Sequence, residues 1–430
     1  MSLSRVLRLF ALLLIASIVT GCGSSSDESS SANVRFVNAL VDGGAINVVV
    51  GSDNTSVVSG LQFEGITGYL EVDSGTQEFK VSVSGGTSTV IDQNLNLEGD
   101  QYYTYVVYGT ASAPLATTMS DNVTAPNSGI FYLRVTNAAF GTTALDLYVT
   151  APGASLANAV PNVSNIPLSG TSKFASLTPG TLQIRLTLSN SKQVIYDSGS
   201  LPFVNQASYE LVAYTRGSST LVNAALLNVD PSGIGAIVNS KVAQFKMIHA
   251  APGTAAVNVF VDGNVALANI PYQGASSYGT VASGTHTVNI EAAATPGATI
   301  ASAQPPFNGA TDTSIVLTGT TGATTAIVLN DNNLPGSAGR ARVRFVNVAP
   351  GLGAVDVYVN FAPKVTALAT NAASAYTEYV QDTYAINFDL AGTTNVVLSM
   401  PAVALNAGRT YTVYLVGTPG ALAGVVTADD

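Results

Sequence analysis

The chain of 430 residues has no tryptophan, one cysteine, two histidines and few charges, with Asp, Glu, Lys and Arg making up only 10%. One cysteine rules out an intrachain disulfide framework and any Cys-rich zinc or iron–sulfur centre. Two histidines are too few for a His/Cys zinc cluster. Sixteen Lys and Arg against 26 Asp and Glu give a net charge of −10. That is the wrong sign for a nucleic-acid binder, which needs a basic footprint. No Gly-x-Ser-x-Gly elbow, P-loop or His-Glu-x-x-His occurs. Ser189 to Lys192 fits Ser-x-x-Lys, but it lies between two apolar runs where a hairpin turn is expected, not the helix such a pair needs. No catalytic residue is expected, and the chain reads as a non-enzyme. What is plentiful is glycine, at 40 residues, and a 47% hydrophobic share. The surface must therefore be built from Thr, Ser, Asn and Gly.

The N-terminus carries its own signals. Arg5 and Arg8 precede an apolar run of 11 residues, Leu9 to Val19. A spanning helix needs ~20 residues, so this run fits a secretory signal peptide over 1–21. Val19-Thr20-Gly21-Cys22 resembles the lipobox of bacterial lipoproteins, which implies lipidation of Cys22 and anchoring to the membrane. Gly23 in place of Asp implies sorting to the outer membrane. Residues 22–32 are Ser-rich and read as a flexible tether. Removing 1–21 leaves 14 basic residues against 26 acidic, a net charge of −12. The chain is expected to be exported and held in the cell envelope by lipid, not by charge.

The remainder repeats one unit four times. Val34-Arg35-Phe36-Val37-Asn38-Ala39 recurs as Leu133 to Ala138, Phe245 to Ala250 and Val343 to Val348. Its fifth positions, 38, 137, 249 and 347, are 99, 112 and 98 residues apart. A second shared strand follows at Ala45 to Val50, Ala144 to Val149, Ala256 to Val261 and Ala354 to Val359. With turn signals every 8–12 residues and no helical periodicity after residue 20, each unit is predicted to be an antiparallel, immunoglobulin-like β-sandwich. The fold class is all-β: four tandem sandwiches at 33–121, 128–230, 242–331 and 340–430, joined by Gly/Pro/Ser/Asn-rich linkers. Leu405 to Tyr411 has tyrosine-corner spacing, in which the phenol bonds an upstream backbone group. Strands of 6–8 residues span roughly 20–27 Å, so four units end to end would reach on the order of 100 Å.

The [Arg/Lys]-x-x-[Asn/His]-Ala start with its Ala-Val-Asp-Val-Tyr-Val continuation resembles a bacterial repeat family, domain of unknown function 4397. That family occurs in tandem on secreted and lipid-anchored proteins. The third repeat, Ile248 to Gly253, matches best, and the first two depart from it at the Pro-Gly turn. The resemblance implies a fold and no activity.

Several residues are candidates for chemistry. His249 occupies a position held by Asn38, Asn137 and Asn347, which favours a loop hydrogen bond over proton transfer. His286 reads as an incidental exposed strand residue. Asp146 and Asp356 share their position with Asn47 and Asn258, as expected of satisfied strand-edge groups. Asp121, Asp230 and Asp331 close their repeats at oxygen-rich junctions and are weak candidates for calcium, which takes 6–8 oxygen ligands. No other cofactor is indicated. The loops Ala251-Pro252-Gly253 and Ala349-Pro350-Gly351 are the candidate binding surface, since loops at a sandwich end commonly carry recognition. The leading expectation is a non-catalytic spacer, adhesion or assembly module. The alternative is a binder of an envelope glycan or protein, with no nucleic-acid partner.

Overall fold

The first repeat begins with β-branched and aromatic residues at alternate positions, the pattern of a strand with one face in a core. The computed structural model describes residues 30–429 except 42, 53–55, 86–87, 218, 232, 334–335 and 338. Cys22, the signal peptide and most of the tether lie outside the described residues.

Repeat 1 consists of β1 (Ser31–Leu40), β2 (Ile46–Val50), β3 (Ser56–Leu61), β4 (Ile66–Asp73), β5 (Gly75–Val83), β6 (Thr89–Leu97), β7 (Tyr102–Thr110) and β8 (Ala113–Ser120). They form two sheets, in the orders β4-β1-β7-β8 and β3-β2-β5-β6. The other three repeats use the same two orders. The chain is thus an all-β array of four tandem sandwiches. Every ladder is antiparallel except β1 with β7 and its three counterparts, which run parallel. The two-sheet architecture is the one expected, with a strand partition different from the ABED/CFG division of an immunoglobulin constant domain. Val34, Phe36, Val48, Phe79 and Tyr105 fill the core of repeat 1 between its sheets. Tyr103 and Tyr411 take the expected corner role, accepting the amides of Glu98 (3.0 Å) and Asn406 (3.3 Å).

The β7–β8 hairpin keeps a regular register from Tyr103–Ser120 to Thr110–Ala113, with a glycine at positive φ shortly before the turn. Gly109, Gly319 and Gly417 have φ of 87°, 92° and 94°. A Cβ on Gly319 would sit 2.2 Å from the Ala323 carbonyl oxygen, so no side chain fits there.

Repeat 2 is longer because residues 151–162 fold back over its outer sheet. Leu156 is buried there, Arg185 donates to the Ala154 carbonyl (2.6 Å), and Lys192 donates to that of Ala159 (2.5 Å).

The repeats are not strung end to end. The outer face of β1 and β7 packs on the same face of repeat 2, joining Val37, Ala39, Val106 and Tyr108 to Ala138, Val212 and Tyr214. Repeats 3 and 4 pair the same way through Ile248, Ala250 and Val316 against Val346, Val348 and Tyr414. The extended array is therefore replaced by two blocks, each four sheets thick. The segment read as a linker after Asp230 also differs: Gly235–Val238 adds a strand beside Val222–Asn228, with Ile237 packed into the interface. Half-buried Ile237 and Val238 gain more from that packing than they would in a solvated linker.

Candidate functional site

Each repeat places one buried basic residue on the outer face of its first strand: Arg35, Arg134, Lys246 and Arg344. Each lies over an aromatic ring of the β4 side, at 4.7 Å for Arg35 on Tyr69 and 4.8 Å for Arg134 on Phe174, Lys246 on Tyr278 and Arg344 on Tyr376. Each also donates to the carbonyl of a residue ending the last strand: Arg35 to Asn228 (3.0 Å), Arg134 to Ser120 (2.9 Å), Lys246 to Ala428 (3.0 Å) and Arg344 to Asn330 (2.9 Å). In every case the carbonyl belongs to the partner repeat.

The acids follow those carbonyls. In the second block the exchange is reciprocal: Lys246 bonds Asp429 of repeat 4 (2.5 Å), and Arg344 bonds Asp331 of repeat 3. Tyr278 and Ser314 complete Asp331 (2.6 and 2.7 Å), while Tyr376 and Thr412 complete Asp429 (2.9 and 2.5 Å). In the first block Asp121 accepts from Arg35 (3.3 Å), Arg134 (2.8 Å), Thr104 (2.5 Å) and Tyr69 (2.7 Å). The matching position in repeat 2 is Val229, whose amide bonds Ser208 as that of Asp121 bonds Tyr102. The missing carboxylate is supplied by Glu210, at the strand position of Thr104, Ser314 and Thr412. It bonds Arg134 (2.7 Å) and Thr136 (2.5 Å). Among the described residues each seam therefore brings together two basic groups and two carboxylates.

Burial and the adjacent carboxylates hold the phenols of Tyr69, Tyr278 and Tyr376 well above their usual range, so they act as donors at any physiological pH. Burial pushes Glu210 up, with Arg134 pulling it back. Asp121 and Asp331, read from sequence as calcium candidates, have their oxygens taken by guanidinium and hydroxyl donors; these carboxylates are counter-ions. Asp230 lies at the surface with its carbonyl accepting the Gly233 amide (2.7 Å).

The Asn/His position is a loop anchor. Asn38 donates to the carbonyls of Gly44 and Leu61 (2.8 Å each) and accepts the Leu40 amide (3.0 Å). Asn137 and Asn347 repeat this set. His249 Nδ1 accepts the Ala251 amide (3.3 Å), so Nε2 carries the proton and donates to Ala255 (3.0 Å). Burial lowers its pKa, which keeps this neutral form. His286 pairs with Asp262 (2.6 Å). Asp146, Asp356, Asn47 and Asn258 accept the backbone amides of Asn165, Ala367, Gly60 and Asn269, and the two aspartates each accept a second amide, from Asn190 (3.2 Å) and Gly392 (2.8 Å). The first four of these partners all have positive φ, at 56°, 52°, 67° and 54°. The polar side chain thus pins a left-handed bulge in the neighbouring strand.

Of the candidate loops, Ala251 and Ala349 are fully buried, while Gly253 and Gly351 are exposed at φ of 75° and 78°. Ser189 bonds Asp146 (3.1 Å) and Lys192 bonds Tyr148 (3.0 Å), in the turn before Val194.

Asp312 is a buried acid at the junction of the two blocks, in a cleft shared with Ser219 and Arg216 of repeat 2. Asn333 donates to it (2.6 Å), and burial pushes its carboxyl up to about 7. Raised in the folded state, this group costs stability fully above pH 7 and not at all below the unfolded value near 4. Asp312→Asn is expected to change nothing at pH 4 and to stabilise by on the order of 2–4 kcal/mol at pH 8. Denaturant unfolding at the two pH values measures it, and equal effects at both would refute the assignment.

These features define a tandem array of β-sandwiches joined in pairs by buried ionic seams. The family model described as "Domain of unknown function (DUF4397)" matches residues 32–148, 243–358 and 349–430. The chain belongs to that family. No curated protein matches the sequence. Solved structures with some likeness include a leucine-rich repeat protein from Bacteroides thetaiotaomicron, at 12% identity and TM-score 0.13, over 42% of this chain and 25% of that one. The Bacillus anthracis TIE protein shows 9% identity and TM-score 0.15, over 86% and 65% of the two chains. The multi-modular glycogen-degrading pneumococcal virulence factor SpuA shows 9% and 0.18, over 86% and 38%. This chain spans less than two thirds of the length of each.

Proposed function

We propose that this protein is a non-catalytic, lipid-anchored module of the bacterial cell envelope, exported and held at the outer membrane through Cys22. Its paired sandwiches act in spacing, adhesion or assembly. The observation that carries the reading is the pairwise fusion of the repeats. Charged and hydrogen-bonding groups that a catalytic site would expose are here buried as joints between repeats, the use a scaffold makes of them. The lipobox-like Val19 to Cys22 and the Ser-rich tether supply the anchor. Two compact blocks stand nearer the membrane than four sandwiches in a row.

The test is metabolic labelling with a radioactive fatty acid, followed by membrane fractionation. The wild-type chain is expected to carry label and sediment with membranes, and Cys22→Ser to lose both. An unlabelled wild-type protein would remove the anchor. A second reading, recognition of an envelope glycan, is favoured by the outward sheet faces of the second block.

A further inference from the structure

The inner sheets of each block face one another, so the sheets built on β2 and its counterparts are outermost. Their outward residues form cross-strand rows. In repeat 3 the row is Val265–Phe260–Asn289–Ser302, each residue directly opposite the next. In repeat 4 it is Pro363–Tyr358–Asn387–Ser399, in the same register. Both rows are uncharged. In repeats 1 and 2 the same central positions hold Lys80 opposite Asp92 and Arg185 opposite Asp197.

The two neutral rows share a finer feature. Ser302 donates to Asn289 Oδ1 (2.8 Å), and Ser399 donates to Asn387 Oδ1 (2.7 Å). The serine fixes the orientation of the amide, leaving both Nδ2 donors without an acceptor among the described residues. Beside each amide lies a half-buried aromatic ring, Phe260 or Tyr358. Beyond it is an exposed apolar residue, Val265 or Pro363. Repeat 2 shows what this position accepts: its equivalent aromatic, Tyr148, is covered by the chain's own Lys192, 4.6 Å from the ring centre, and by the 151–162 segment. Repeats 3 and 4 lack that insertion.

We propose that these two rows are binding platforms for a neutral glycan, its sugar rings lying on Phe260 and Tyr358 and its hydroxyls accepting from Asn289 and Asn387. A flat ring beside a fixed amide donor suits an amphipathic pyranose, with an apolar face and a polar rim. The rows carry no charge and the outward pairs beside them, Asn258–Glu291 and Asp356–Asp389, add only carboxylates, which repel an acidic polymer and admit a neutral one. Four strands about 4.8 Å apart give each platform a width of about 14 Å, enough for a short oligosaccharide. The platforms lie on opposite sides of one block, with three sheet-to-sheet gaps of about 10 Å between them. They cannot share one stretch of polymer side by side; they join two. This deepens the second reading above and does not depend on lipidation, so the labelling experiment and the one below fail separately.

The test is affinity electrophoresis of the whole chain in gels containing xylan, mixed-linkage β-glucan or starch, with turbidity of the same mixtures as a measure of cross-linking. The wild type is expected to be retarded in at least one gel and to raise turbidity. Phe260→Ala or Tyr358→Ala alone should weaken retardation severalfold and abolish turbidity, since one platform cannot cross-link. The double variant should migrate as in an empty gel. Asn289→Ala with Asn387→Ala is the second pair, removing the donors and leaving the rings. Thermal melting within a few degrees of wild type shows that the variants fold. Wild-type migration unchanged in all three gels, or retardation that persists in both double variants, overturns the proposal.

Discussion

Asp121→Ala is expected to destabilise the first block by about 3–5 kcal/mol, the cost of removing one partner from a buried ion pair. The carboxylate is fully enclosed and accepts from Arg35, Arg134, Thr104 and Tyr69. Without it two guanidiniums face each other across the seam with Glu210 as their remaining counter-ion. Arg35, wholly enclosed, cannot reach water without separating repeats 1 and 2. A surface carboxylate would cost far less, since exposed pairs contribute about 0–1 kcal/mol. Denaturant unfolding monitored by tyrosine fluorescence measures the effect. A loss below about 1 kcal/mol would mean that the seam is solvated and the pairing weak.

Glu210→Thr should be nearly as damaging, and Val229→Asp should repair it. Glu210 stands where the other repeats have Thr104, Ser314 and Thr412, and Val229 stands where they have Asp121, Asp331 and Asp429. The carboxylate of repeat 2 has moved from the end of the last strand to the middle of the seventh. Threonine alone leaves Arg134 sharing Asp121 with Arg35 and leaves Thr136 only the Thr171 hydroxyl (2.7 Å), at a cost of about 3 kcal/mol. Aspartate at 229 follows the Asn228 carbonyl that already accepts from Arg35 (3.0 Å), as Asp429 follows Ala428 beside Lys246. The double variant is expected to recover at least half the loss. Unfolding midpoints of the three variants decide the matter, and no recovery would show that the two positions are not equivalent.

The sandwiches were legible in the sequence because a repeat supplies its own comparison. The Asn38 position tolerates His249, which pointed to a loop bond, and both side chains make that bond. The pairing is not legible in the sequence, for a physical reason. Gln244 and Lys246 alternate with Phe245 and Met247, the pattern of a strand with one face in water, yet Val242–His249 is buried at every position. The acids are weak calcium candidates in the sequence because an oxygen-rich junction looks the same whether its counter-ion is a metal or an arginine. Arg35 is 86 residues from Asp121, a separation that no local pattern spans. In a chain with so little charge, one basic and one acidic residue recurring per repeat was the available clue.

The reciprocal bonds of the second block bear on how such arrays change length. Lys246 is neutralised by a residue of repeat 4, and Arg344 by one of repeat 3. Neither repeat carries a complete set of its own. Losing a single repeat by recombination would strand a cation on one side of the break and expose an apolar face beside it. Losing a pair would leave every remaining seam intact. The couple, and not the single repeat, is the smallest piece of this chain that carries a complete seam.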